Sequence, residues 1–206
     1  MMNLNKPGME LCMVTRDSLM TLEAYARQRE EFRTKVMAHK KNRKVYLGNH
    51  VTLMFEDELT TRYQIQEMLH AEKIFAEQGI QDELEAYNPL VPDGSNWKAT
   101  MLIEYPDVEQ RRQMLRKLKG AEKRVWVQVS GCSRVHAIAD EDLEREDEEK
   151  TSAVHFLRFE LTPDMIRSLK HGAALVIGIG HPAYRVAGET VGDAVRLSLI
   201  EDLRDS

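Results

Sequence analysis

"KVYLGNHVTLMFE" (residues 44–56) decides how the rest of the chain is read. Two short runs of β-branched, aromatic and aliphatic residues flank Gly48 and Asn49, the chemistry of a hairpin turn. A period of two puts His50, Thr52, Met54 and Glu56 on one face of the second strand, and Val51, Leu53 and Phe55 on the other. Working outward, Leu19, Leu22, Tyr25, Phe32, Val36 and Met37 recur at helical spacing, which predicts a long helix over 18–41. Arg27, Arg33, Lys35, Lys40 and Lys41 lie on its other faces, and a cationic finish suits the negative end of the helix dipole. After the hairpin a second helix is expected over 60–78, ended by Gly79 in the left-handed conformation, then a short helix over 81–87.

The second half alternates. "WKATMLIEY", "RVWVQV", "SRVHAIA", "AVHFLRFEL" and "AALVIGI" read as strands, the last with the continuous apolar run of a strand covered on both faces. "PDVEQRRQMLRKLKG" reads as a helix capped by Asp107, with Gln110 three residues on and Gly120 as its stop. "TPDMIRSLKHG" is a helix with Thr162 as cap, Pro163 in the first turn and Gly172 at the end. A last helix is expected over 189–203. The sum is an α+β fold: one largely antiparallel, mixed sheet of about seven strands with helices packed on it. Residues 1–14 are expected to be a loose arm, and 15–206 one α+β domain, with a helical lobe over 15–92 as the alternative partition. "DEDLEREDEE" (140–149) reads as a solvated acidic loop.

Composition narrows function little. The 206 residues carry a net charge of −5, which argues against a dedicated nucleic-acid binder. Cys12 and Cys132 form no framework, and a reducing cytoplasm is the expected setting. The longest apolar run, 173–180, is far short of the roughly 20 residues a membrane span needs. There is no nucleophile elbow and no phosphate loop.

The ionisable residues are more informative. "YQIQEMLHAEKI" (63–74) places Glu67 three residues before His70, the half-motif of carboxylate-bridged di-iron sites. On a helical wheel with Ile65 at zero they fall at about 200° and 140°, away from the Ile65–Met68–Leu69–Phe75 stripe. No second copy of the motif exists, so a surface pair or a contact to a neighbouring element is expected. Glu72 falls at about 340°, inside that stripe, and is expected to be buried with a partner or a cation. His50 and Glu56 stand six residues apart, roughly 20 Å along a straight strand. His155 shares a strand face with Leu157 and Phe159 and reads as a satisfied core histidine. "GIGHPA" fits Gly-x-Gly-x-x-Ala, but His181-Pro182 interrupts where a helix should begin, so dinucleotide binding is rejected. His181 and Tyr184 remain as polar groups past a strand end.

"RKVYLGNHVTLMFE", "YQIQEMLHAEKI", "AYNPLVP" and "HPAYRV" together resemble a bacterial domain family of unknown function, over about residues 15–203. Members of that family are often encoded beside a rubrerythrin-like protein and an iron–sulfur oxidoreductase. The resemblance carries no activity. It implies a context of peroxide or oxygen stress, iron and electron transfer, and its pattern has a basic residue where this chain has His70. Two functional expectations follow. One is an accessory protein of a cytoplasmic redox module that binds a rubrerythrin-like or iron–sulfur partner, or a divalent metal, with the basic helix and the acidic loop as docking surfaces. The other is a metal-dependent enzyme holding iron, zinc or manganese on Glu72, His50, Glu56 and His181. Nucleic-acid binding through the basic helix is the third and weakest.

Overall fold

The computed structural model describes residues 13–139 and 150–204. The expected arm (save Met13 and Val14), Cys12 and the acidic run 140–149 lie outside the described residues. A 3-10 turn at Arg16–Ser18 leads into α1 (Leu22–Lys41). Thr21 caps α1, its hydroxyl accepting from the Ala24 amide at 3.2 Å. The hairpin follows as β1 (Lys44–Leu47) and β2 (Val51–Glu56), joined by Gly48, Asn49 and His50. Gly48 sits at φ +66°, where a side chain is disfavoured, and a Cβ there would lie 2.7 Å from the Tyr184 hydroxyl.

The helices after the hairpin differ from the sequence expectation. Helix α2 (Glu58–Glu72) begins at Asp57, whose carboxylate and the Thr60 hydroxyl form a reciprocal capping box. It ends at Lys73, in the left-handed conformation at φ 54°, and not at Gly79. The Ile74 amide returns to the Leu69 carbonyl at 3.0 Å, and both side chains join one apolar cluster. That is a Schellman closure with its hydrophobic contact, so packing stops the helix where no glycine stands. The next helix, α3 (Glu77–Tyr87), contains Gly79. A Cβ at Gly79 would lie 2.7 Å from the Ile74 Cγ2, so the glycine serves the close approach of Ile74 rather than a cap.

Strand β3 (Asn96–Ile103) and helix α4 (Val108–Lys117) lie as read, and the Asp107 carboxylate accepts from the Gln110 amide at 2.7 Å. Then come β4 (Val125–Val129) and two short pieces, β5 (Val135–His136) and β6 (Ile138–Ala139), where the sequence "SRVHAIA" predicts one strand. They are followed by β7 (Val154–Glu160) and α5 (Pro163–Lys170), capped by Thr162. Last are β8 (Leu175–His181), β9 (Tyr184–Thr190) and α6 (Asp193–Ile200). The final helix is thus shorter than expected, and "YRVAGET" is an edge strand that turns back on β8 through Pro182 and Ala183.

The fold class is α+β. The described strands form two antiparallel sheets rather than the single one of about seven: β1-β2-β3-β7-β6 and β5-β4-β8-β9. Their inner faces, with residues of α4, α5 and α6, make one large apolar cluster that includes Val51, Leu53, Phe55, Trp97, Ile177 and Leu199. The helices α1, α2 and α3 hold two further clusters, around Ile65, Leu69 and Ile80 and around Tyr25, Phe32 and Tyr63. Every residue of β2 is buried: its odd positions enter the large cluster, and Met54 and Glu56 line a cavity whose other wall α2 supplies. Among the described residues no helix is long and apolar enough to cross a membrane.

Candidate functional site

On the outer face of the five-stranded sheet the register sets Thr52, Met54 and Glu56 of β2 beside Leu102, Thr100 and Lys98 of β3. On β7, Val154 and Phe156 continue the rows of Leu102 and Thr100. Side chains of cross-strand partners share a face, so these residues form a floor. Thr60, Thr61 and Gln64 of α2, with Tyr87 and Leu90, close the other side. Between them lies a cavity of about 350 Å³, with Lys40 and Lys44 at its margin.

Glu56 is its chemical centre. The residue is only 9 % exposed. One carboxylate oxygen accepts from the Thr60 hydroxyl at 2.6 Å, the other from the Thr100 hydroxyl at 2.7 Å. Thr60 is itself fixed, because its oxygen also accepts from the Asp57 amide at 2.9 Å in the capping box. Each Glu56 oxygen keeps acceptor capacity, and among the described residues no cation is paired with it. The Thr61 hydroxyl on the same wall is buried without a partner among the described atoms.

The other expected residues do not gather there. Glu72 is exposed, which corrects its inward placement. The wheel assumed a helix continuing to Phe75, but α2 stops at residue 72, and Phe75 points away at 67 % exposure. His50 lies in the hairpin turn, stacked on Tyr105 at 4.0 Å between centroids, with Nδ1 2.9 Å from the Glu104 carbonyl oxygen. Since a carbonyl only accepts, Nδ1 is the protonated nitrogen of that contact. The His181 Nδ1 accepts from the Ala183 amide at 3.2 Å, and its Nε2 donates to the Lys119 carbonyl at 3.1 Å. Both its nitrogens are engaged, one in closing the β8–β9 turn and the other in holding the segment after α4. Among the described residues no group of three or more His, Cys, Asp or Glu side chains is arranged to hold a metal ion.

The Glu67–His70 pair joins two helices. Glu67 accepts from Arg29 Nε at 2.8 Å and Nη2 at 2.7 Å, and from the Tyr25 hydroxyl. His70 meets the Tyr25 ring edge-on at 5.8 Å. The Arg29 guanidinium holds the Glu67 carboxyl down at about 2, outweighing burial, which would raise it, and the Tyr25 hydroxyl adds to the lowering. Burial and the Glu67 hydrogen bond push the Tyr25 phenol up. His155 is the satisfied core histidine expected: it is buried, with Nε2 2.9 Å from the Thr151 hydroxyl.

Sequence reading missed a buried ionic junction beside the cavity. Arg43, just after α1, is 1 % exposed. It donates to the Phe55 and Glu56 carbonyls at 3.0 Å each, to the Ser198 carbonyl at 3.2 Å and to Asp202 at 2.5 Å, and lies 3.4 Å from Asp57. His39 Nε2 meets the same Asp57 oxygen, Oδ2, that faces Arg43. Burial raises Asp202 to about 6 despite Arg43. Burial would raise Asp57 as well, but Arg43, the Thr60 amide and His39 together hold it below its ordinary value. The partners are separated by up to 159 residues, so no local spacing could announce them.

The family described as "Protein of unknown function (DUF3501)" matches residues 13–203. A solved structure described as a novel protein of unknown function from Burkholderia pseudomallei K96243, at 1.90 Å, is 58 % identical. The match covers 93 % of this chain and 100 % of that one, with a TM-score of 0.89. No curated protein matches the chain.

Proposed function

The chain belongs to the DUF3501 family of proteins of unknown function, and from that premise we propose that it is a binding protein whose cavity over the outer sheet face takes a small amphipathic molecule. The head of that molecule is a cationic hydrogen-bond donor, an amine or guanidine, seated on Glu56. One observation carries the reading: a nearly buried carboxylate, held by two hydroxyls, is among the described residues the one acidic group of a cavity whose lining includes the apolar Met54, Leu102, Val154, Phe156 and Leu90. A buried carboxylate is stabilised most by a charged donor, and the free acceptor sites on Glu56 suit one. The volume lies at the small end of the usual range for ligand pockets, roughly 300–1,000 Å³. A metal is a poorer fit for the same place, since Glu56 is the single carboxylate among the described residues of the lining, no His or Cys joins it, and His50, His181 and Glu72 stand elsewhere. We place this binding role in the cytoplasmic redox module that the resemblance implies, with the chain as an accessory protein to a rubrerythrin-like or iron–sulfur partner.

Titration calorimetry of the full chain with a series of alkylamines and alkylguanidines tests the reading. Binding is expected, weakened about tenfold or more in Glu56→Gln, which keeps the shape and removes the charge, with circular dichroism confirming the fold. Amines that bind Glu56→Gln as tightly as the native chain, or bind neither, would overturn it.

A further inference from the structure

We infer that the ligand is a zwitterion of the amino-acid class, with its ammonium on Glu56 and its carboxylate held by Lys40 and Lys44. The inference rests on the reading just given and adds the other end of the molecule. Lys40 and Lys44 both line the cavity, both are half-buried, and among the described residues neither is ion-paired. The Lys40 ammonium lies 5.7 Å from the centre of the Tyr63 ring, which partly orders its side chain. Lys44 stands opposite Met54 in the β1–β2 register, on the same face as Glu56 and two residues along. That offset is about 7 Å along the strand, which a molecule a few bonds long plus a lysine side chain spans. Glu56 and Lys44 are therefore diagonal neighbours on adjacent strands with Met54 beside both, while Leu102 and Phe156 continue the apolar floor on the far side of β2, and Gln64 of α2 also lines the cavity. A plain amine would leave the two half-buried ammonium groups without a counter-charge, and a plain acid would leave the Glu56 carboxylate without one. A zwitterion satisfies both ends.

The test is calorimetry of the full chain with the twenty common amino acids, 4-aminobutyrate and 6-aminohexanoate. The tightest of these is then compared with its decarboxylated amine and its deaminated acid. The zwitterion is expected to bind best, with each truncated analogue weaker by about tenfold or more. A Lys40→Met, Lys44→Met double variant is expected to bring the zwitterion's affinity down to that of the amine in the same variant, abolishing the zwitterion's advantage. An amine that binds as tightly as its zwitterion, with no effect of the lysine changes, would overturn the zwitterion assignment and leave the Glu56 reading standing. An acid that binds as tightly as the zwitterion would overturn the assignment of the head to Glu56. A chain that binds neither amine nor zwitterion overturns both.

Discussion

At Lys73 the backbone enters the left-handed region without a glycine to ease it. For a residue with a Cβ that conformation costs about 1–2 kcal/mol. Here it is offset by the Ile74–Leu69 closure, which returns the chain toward α3 and buries Ile74. Replacing Lys73 with glycine removes the strain and leaves the closing hydrogen bond intact, at the cost of a more flexible unfolded chain. The expected net is a stabilisation of about 0.5–1 kcal/mol, read from the urea midpoint at constant slope. A destabilised Lys73→Gly variant would show that the lysine side chain itself holds the turn. The same closure bears on Glu72: it is the last residue of α2, Met68 beside it is only half-buried and Phe75 is exposed, so no apolar stripe covers the carboxylate and it faces water.

At the scale of elements, α1 and α2 are bound by Tyr25, Arg29 and Glu67 on one side and by Phe32 and Tyr63 packing on the other. The Glu67 carboxyl is held at about 2 in the folded chain, against 4.5 ordinarily. A group whose folded pKa is depressed stabilises the fold above its ordinary pKa and loses that contribution as pH falls toward the folded value. The native chain is therefore expected to be more stable than Glu67→Gln at pH 6–7, with the difference shrinking between about pH 4.5 and 2. Paired melting curves across that range measure it. A difference that stays constant with pH would mean that Glu67 acts through packing rather than charge. The hairpin β1–β2 is bound to the second sheet in a comparable way: the Tyr184 hydroxyl donates to the Leu47 carbonyl at 2.6 Å and accepts from the His50 amide at 3.0 Å.

For the molecule as a whole, Arg43 is where the α1 end, the β2 end and α6 meet. Removing one partner of a buried ionic cluster leaves the others uncompensated, which typically costs about 3–5 kcal/mol. Arg43→Met is expected to destabilise by that order, because Asp57 and Asp202 lose their shared cation. Adding Asp202→Asn to that variant is expected to recover part of the loss by removing one stranded charge. Denaturant unfolding of the two variants checks both statements, and an Arg43→Met cost below about 1 kcal/mol would contradict the account. The junction also holds Asp57, and with it the capping box that fixes Thr60 against Glu56. The cavity wall therefore depends on contacts made far along the chain.

Local chemistry in the sequence determined the α+β class, the hairpin around Gly48, the caps at Asp107 and Thr162, and the alternation that put Glu56 on the face opposite Phe55. Those features are decided within a few residues, by turn geometry and side-chain period. It could not show where α2 ends, since a hydrophobic closure between Leu69 and Ile74 outweighs the absence of glycine. Nor could it show β9, whose strand state comes from pairing with β8, or the split of the strands into two sheets. The candidate site was legible only as Glu56 and its face. Thr60, Thr100, Lys40 and Phe156 come to one cavity because antiparallel pairing and helix packing bring together segments separated by more than a hundred residues. No pattern in the linear sequence encodes that meeting.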